Sequence, residues 1–210
     1  MMAATSSVDP YAPWGGWSAA YVADADAILA LLSQRGLRIE GRRVAVVGAA
    51  GGVLALALVE RFGAASVVVF DDGGCNTVTL AAVAQEMVGL AELPPTERLS
   101  FLQTRPYELP GGPQTFDLGI WWHGVDTVRD AARMLGELAR IIAPQGHIIV
   151  RAPGGRGGLD ELGLSLLAAG LLPLSVTLPS LSIEVSTEDR SARLADLATQ
   201  GATVLAFRPS

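Results

Sequence analysis

Lysine is absent from this sequence: all 15 basic residues are arginine. That absence removes several chemistries at once. There is no phosphate-binding lysine of a Walker-type loop, no Schiff-base lysine and no Tyr/Lys dehydrogenase pair. Cysteine is almost absent too. The single Cys75 excludes an intrachain disulfide and suits a reducing compartment. With two histidines and no carboxylates clustered at ligand spacing, no metal site is expected. Basic runs are missing and the net charge is −6, which argues against a nucleic-acid backbone as partner. Apolar runs are broken by Gly, Pro or charge well short of a membrane span, so no membrane partner is expected. The N-terminus shows no basic segment leading into an apolar stretch, and the chain reads as cytoplasmic.

What is present points to a folded core. Half the residues are hydrophobic and 17% are charged, so most of the 210-residue chain does not suit disorder. Residues 1–16 read as a flexible arm, polar and proline-punctuated through Pro13, and residues 17–210 as a single domain. Strands are expected at Val44–Gly48, Ser66–Phe70, Leu99–Gln103, Phe116–Trp122, His147–Arg151, Pro173–Leu178 and Thr203–Phe207. The first has no polar residue, as a central strand of a parallel sheet requires. Helices are expected at Trp17–Leu32, Val53–Phe62, Thr77–Ala91, Arg156–Leu172 and Thr187–Thr199. Another follows the fourth strand, where Ala131, Met134, Leu135, Leu138, Ile141 and Ile142 keep a 3.6-residue period. Ala143-Pro144-Gln145-Gly146 suits a type I turn. Alternating strands and helices predict an α/β fold: a doubly wound, mostly parallel seven-stranded sheet with helices on both faces.

Ligands of such sheets sit beyond the carboxyl ends of the strands, near the point where strand order reverses. The residues to weigh are therefore Gly48–Gly52, Asp71-Asp72, Gln103–Pro106 and Trp121–His123. The stretch "VAVVGAAGGVLA", Val44 to Ala55, is a buried strand feeding a helix through glycines. A dinucleotide fingerprint would need glycine at 48, 50 and 53, and only Gly48 meets it. The short-chain dehydrogenase spacing fails at Leu54, and that chemistry lacks its lysine. Asp71 ends a strand beyond the glycine turn, where a carboxylate can accept two hydrogen bonds from ribose hydroxyls. Asp71 also suits a turn or helix cap before Gly73-Gly74.

Five segments in order resemble the class I S-adenosylmethionine-dependent methyltransferase family. "RVAVVGAAGG" stands where the family has its first strand and glycine loop, and "VVVFDD" ends in the acid after strand two. "LSFLQTRPYELP" is similar to strand three with its following Leu-Pro. Phe116 to Val150 resembles strand four, its helix and the Pro-Gly turn into strand five, without a gap. "WSAAY", Trp17 to Tyr21, resembles the aromatic N-terminal helix that closes over the cofactor. The resemblance implies S-adenosylmethionine as cofactor, without a metal, and methyl transfer to a small molecule. It places Gly48, Ala49, Gly51, Gly52, Asp71, Asp72, Arg105, Pro106 and Trp121 around the cofactor, with Trp17 and Tyr21 above it. Trp122 and Trp14 fall on the substrate side. His123, just past strand four, stands where a base would remove a proton from an oxygen or carbon nucleophile, or else caps the next segment. Trp121 and Trp122 point to opposite faces, one into the core and one toward a flat substrate. His147 and Asp117 read as structural, and Asp126 as facing solvent or capping a helix.

Three positions depart from the family pattern. Val46 replaces the acid two residues before the first glycine, Ala50 replaces the second glycine, and Arg105 aligns with the acid that accepts from the adenine amine. An arginine is donor-only. These departures favour a second expectation: a methyltransferase-like domain without cofactor, serving as a partner subunit or a repurposed pocket. A small-molecule substrate and a homo- or hetero-oligomeric partner are the partners expected.

Overall fold

The apolar run around Val44 forms β1 (Arg43–Val47) in the computed structural model, which describes residues 27–48, 51–60, 62–71, 98–105, 107–121, 130–152, 158–178, 181–184 and 202–209. Residues 27–34 are helical (α1). The chain then gives α2 (Gly51–Glu60), β2 (Ser66–Asp71), β3 (Leu99–Gln103), β4 (Phe116–Trp121) and α3 (Ala131–Ile141). It continues as β5 (Ile142–Ala152), α4 (Gly158–Ala168), β6 (Leu172–Leu178), β7 (Leu181–Glu184) and β8 (Ala202–Phe207).

The strands form one sheet in the order β3-β2-β1-β4-β5-β8-β6-β7. From β3 to β5 every pairing is parallel. β8 runs antiparallel to both β5 and β6, and β7 folds back antiparallel on β6. The seven expected strands are all present, and β7 adds an eighth at the edge. The doubly wound α/β class holds, with the antiparallel pairings collected at one side.

Period-two alternation divides the core between the faces. Val44 and Val46 pack with Ile28, Leu32, Leu54 and Leu58 on the α1/α2 face. Ala45 and Val47 pack with Leu135, Leu138, Leu162 and Leu166 on the α3/α4 face. In α3 the expected stripe is buried at Met134, Leu135, Leu138 and Ile141. Asp130 caps its N-terminus, the carboxylate accepting from the Arg133 N–H at 3.0 Å. Ile142, read as the last helical position, is instead extended and opens β5.

The turn at residues 143–146 also differs from expectation. Gln145 has φ 63°, a left-handed value that a type I turn does not place at its third position. The four residues bulge out of β5, so the register of β4 against β5 jumps from Phe116↔Ile142 to Leu118↔His147. β8 holds this bulge through its following residue. The Arg208 N–H donates to Gly146 O at 3.0 Å, the Gln145 N–H donates to Arg208 O at 2.9 Å, and the Arg208 side chain donates to Ile142 O.

Two expected helices, Thr77–Ala91 and Thr187–Thr199, lie outside the described residues, as does the first part of Trp17–Leu32. Helix α2 starts at Gly51 rather than Val53. The two glycines read as loop are therefore its first turn.

Candidate active site

Strand register brings the candidate residues to one edge. Val47 lies opposite both Phe70 and Trp121, and Asp71 lies opposite Gln103. Gly48, Asp71, the residues after Gln103, and Trp121 thus line the carboxyl ends of four adjacent parallel strands. β1 and β4 meet where strand order reverses, which is where such folds bind ligands.

Gly48 turns the chain out of β1. Its φ is 109°, a value that residues with a Cβ rarely adopt, and its N–H donates to Phe70 O at 2.9 Å. The residue is buried, so backbone rather than side chain faces the edge. Helix α2 follows three residues later, and its first-turn N–H groups lack intrahelical partners. Asp71 closes β2 one strand away. The structure therefore sets a glycine turn, a helix start and a strand-end acid side by side.

The remaining described candidates divide. Arg105 is exposed, two residues past β3. Its backbone bridges to Glu108, whose N–H donates to Arg105 O at 3.1 Å. Trp121 is 1% exposed and belongs to the α3/α4-face core. Val46 is fully buried among Ile120, Val69 and Leu58. Trp14, Trp17, Tyr21, Ala49, Ala50, Asp72, Pro106, Trp122, His123 and Asp126 lie outside the described residues.

Asp117 and His147 stand toward the opposite ends of the parallel strands. The Asp117 carboxylate accepts from the Arg43 backbone N–H at 2.9 Å and from the guanidinium at 3.0 and 3.3 Å. Burial pushes its pKa up, but the Arg43 hydrogen bonds outweigh that and hold it below the ordinary value. His147 pairs along the sheet with Leu118 and Phe207, and its ring tilts against Phe207 at 5.4 Å between centroids. Both residues serve the fold.

One group escaped the sequence reading. Arg133, Gly136, Glu137 and Arg140 share a face of α3 and line a cavity of about 780 Å³, facing Tyr107–Pro110. Their i, i+3, i+4, i+7 spacing was visible, but a solvated helix face has the same spacing. Arg140 and Glu137 bond each other at 2.9 and 3.1 Å. Those bonds lead the effects that hold the Glu137 carboxyl below its ordinary range, against an opposing push from burial. Among the described residues no cluster of three or more His, Cys, Asp or Glu is arranged to hold a metal, and no helix is long and apolar enough to cross a membrane.

Comparison with known proteins adds to this geometry. The methyltransferase domain family matches residues 46–150, half of the chain. A SAM-dependent methyltransferase from Aquifex aeolicus superposes with a TM-score of 0.61 at 19% identity, over 88% of this chain and 89% of that one. The Burkholderia thailandensis 1,6-didemethyltoxoflavin-N1-methyltransferase, solved with 1,6-didemethyltoxoflavin and S-adenosylhomocysteine, gives 0.63 at 18%, covering 91% and 79%. The [4+2]-cyclase SpnF gives 0.64 at 22%, covering 88% and 80%. Identities this low establish a shared fold. Comparison with curated protein sequences returned no match.

Proposed function

This chain belongs to the methyltransferase domain family, with the class I fold, and from that premise we propose that it is an S-adenosylmethionine-dependent methyltransferase acting on a small molecule. The observation that carries the reading is that Gly48, at φ 109°, follows the Val47↔Phe70 pair while Asp71 closes the neighbouring strand. A buried glycine turn admits a ligand to backbone contact, and a carboxylate there accepts from ribose hydroxyls. The residues fit the group: Gly48, Gly51 and Gly52 would face the methionyl end through backbone, and Asp71 the ribose. When bound, S-adenosylmethionine supplies an electrophilic methyl group. The chain's own part is in-line positioning and, where the acceptor is oxygen or carbon, removal of its proton. His123 is assigned that proton, with Trp122 and Trp14 beside the substrate. Its single cysteine and absence of basic runs fit a cytoplasmic enzyme of one domain, residues 17–210, behind a short arm.

A second reading has its own support. Val46 is sealed into an apolar core where the family carries an acid, and Arg105 brings a cation where it carries an acceptor. The SpnF fold likeness adds that this architecture also houses a cyclase. On that reading the pocket is repurposed, or the chain assists a separate enzyme.

Calorimetric titration of the full chain with S-adenosylhomocysteine separates the two. Binding is expected, and no heat at millimolar ligand from a folded sample refutes the enzyme reading. The variant Arg105→Asp sharpens the comparison. Because Arg105 is exposed, replacing it should leave the fold intact and restore an acceptor, tightening binding by about 0.5–1.5 kcal/mol for one ordinary hydrogen bond. Loss of binding in the variant would assign the guanidinium itself to the ligand.

A further inference from the structure

Helix α3 is tied to the segment after β3 by a compact set of hydrogen bonds. Glu137 Oε2 accepts from the Leu109 backbone N–H at 3.2 Å. Arg140 Nη2 donates to the Leu109 carbonyl at 2.7 Å, and Nη1 to the Gly111 carbonyl at 2.9 Å. Arg140 Nε and Nη2 also reach the two Glu137 oxygens at 3.1 and 2.9 Å. Leu109 is 3% exposed, so both of its backbone polar groups are satisfied by this pair of side chains rather than by water.

The tie has a partner nearer the start of α3. The Arg133 guanidinium lies over the Tyr107 ring, 5.0 Å from its centre. Tyr107 has φ 65°, which a bulky residue adopts only when its surroundings impose it. The backbone is thus pinned at two points. Gln103 is fixed by its pairing with Asp71, and Leu109 is fixed by α3. Between them the backbones of Arg105 and Glu108 are bridged, beside the strand end assigned to the ribose.

An exposed ion pair alone would matter little to stability, since solvent screens it. Here the pair's side chains are 36% and 25% exposed, and besides bonding each other they hold three polar groups of one backbone segment. We propose that Glu137 and Arg140 are positioning residues for the cofactor: by clamping Leu109 and Gly111 they set the bridged Arg105 and Glu108 against the adenine. This rests on the methyltransferase reading above and extends it to residues on the outer face of α3.

The test compares the full-length chain with Arg140→Gln, Arg140→Lys, Glu137→Gln and Gly136→Ala. Each is titrated with S-adenosylhomocysteine and with methylthioadenosine, which keeps adenine and ribose but lacks the amino acid. Titrations are run well below each melting temperature, and amide exchange is followed at Thr104, Arg105, Tyr107 and Glu108. Arg140→Gln should weaken both ligands by the same factor, about tenfold or 1.4 kcal/mol, and speed exchange at those residues. Arg140→Lys, which cannot span two carbonyls with one fork, should fall between. Gly136→Ala adds a Cβ that meets nothing within 4 Å, so it should leave both affinities unchanged.

A lower melting temperature with unchanged affinities would make the clamp merely structural and overturn the inference. Weakening confined to S-adenosylhomocysteine would place the effect at the methionyl end and overturn it as well. If Arg140→Gln does not fold, the near-isosteric Glu137→Gln supplies the same comparison. A wild-type chain silent to both ligands removes the methyltransferase reading and this inference together. A wild type that binds, with variants that bind equally, removes only the inference.

Discussion

His147 shows how a single residue couples this fold to pH. Its Nδ1 is buried and, among the described residues, has no hydrogen-bond partner. Burial first, and the Arg42 charge second, push its pKa below the ordinary 6.5. The unfolded chain therefore takes up a proton at a higher pH than the folded one. The neutral ring's contribution is complete above the unfolded value and is lost as pH falls through the folded one. Asp117 and Glu137 act in the same direction further into acid, since both carboxyls are held low in the fold. Replacing His147 by leucine removes both the orphaned nitrogen and the proton uptake. In melting scans, His147→Leu should match or exceed wild type near neutrality and lose less stability between about pH 7 and pH 5.5. An equal loss over that range in the two proteins would assign the pH response elsewhere.

Elements meet in this protein through glycines with opposite surroundings. At Gly146, inside the β5 bulge, an added Cβ would lie 2.4 Å from Ile142 Cγ2 and 2.8 Å from the Ala143 carbonyl. Neither has room to give, because Arg208 holds both sides of the bulge. Gly146→Ala should cost roughly 1–3 kcal/mol through overpacking. Gly136, on α3, has open space around it, so Gly136→Ala should gain about 0.5–1 kcal/mol of helix propensity. Urea denaturation of the two variants should move the midpoint in opposite directions. A neutral Gly146→Ala would mean that the bulge relaxes more freely than its contacts indicate. Element α3 was legible from its apolar stripe. The function of its other face was not, because a clamp and a solvated surface share one spacing.

At the scale of the molecule, β1 joins the two cores. Val44 and Val46 belong to one, Ala45 and Val47 to the other, and all four are at most 4% exposed. Neither layer can open without exposing the strand that the other packs on. Heat or urea should therefore unfold the described sheet and its helices in one transition, with near- and far-ultraviolet circular dichroism coinciding. Two separated transitions would show that the α1/α2 and α3/α4 layers unfold independently. A ligand bound at the carboxyl edge should raise that single transition, by about 2.7 kcal/mol at one hundred times its dissociation constant.

The sequence by itself determined the seven principal strands, their alternation with helices, the glycine turn at Gly48 and the acid at Asp71. Each depends on local pattern: apolar runs, period and turn chemistry lie within a few residues of one another. Tertiary structure decided the rest. Strand direction at β8 and the added β7 follow from which edges remained to be paired. The left-handed Gln145 follows from the ties to Arg208, and the burial of Trp121 from the helices packed on its face. The Glu137–Arg140 clamp joins residues 28 or more positions from the backbone groups they hold. Such contacts leave no periodic trace, because the fold alone brings their partners together.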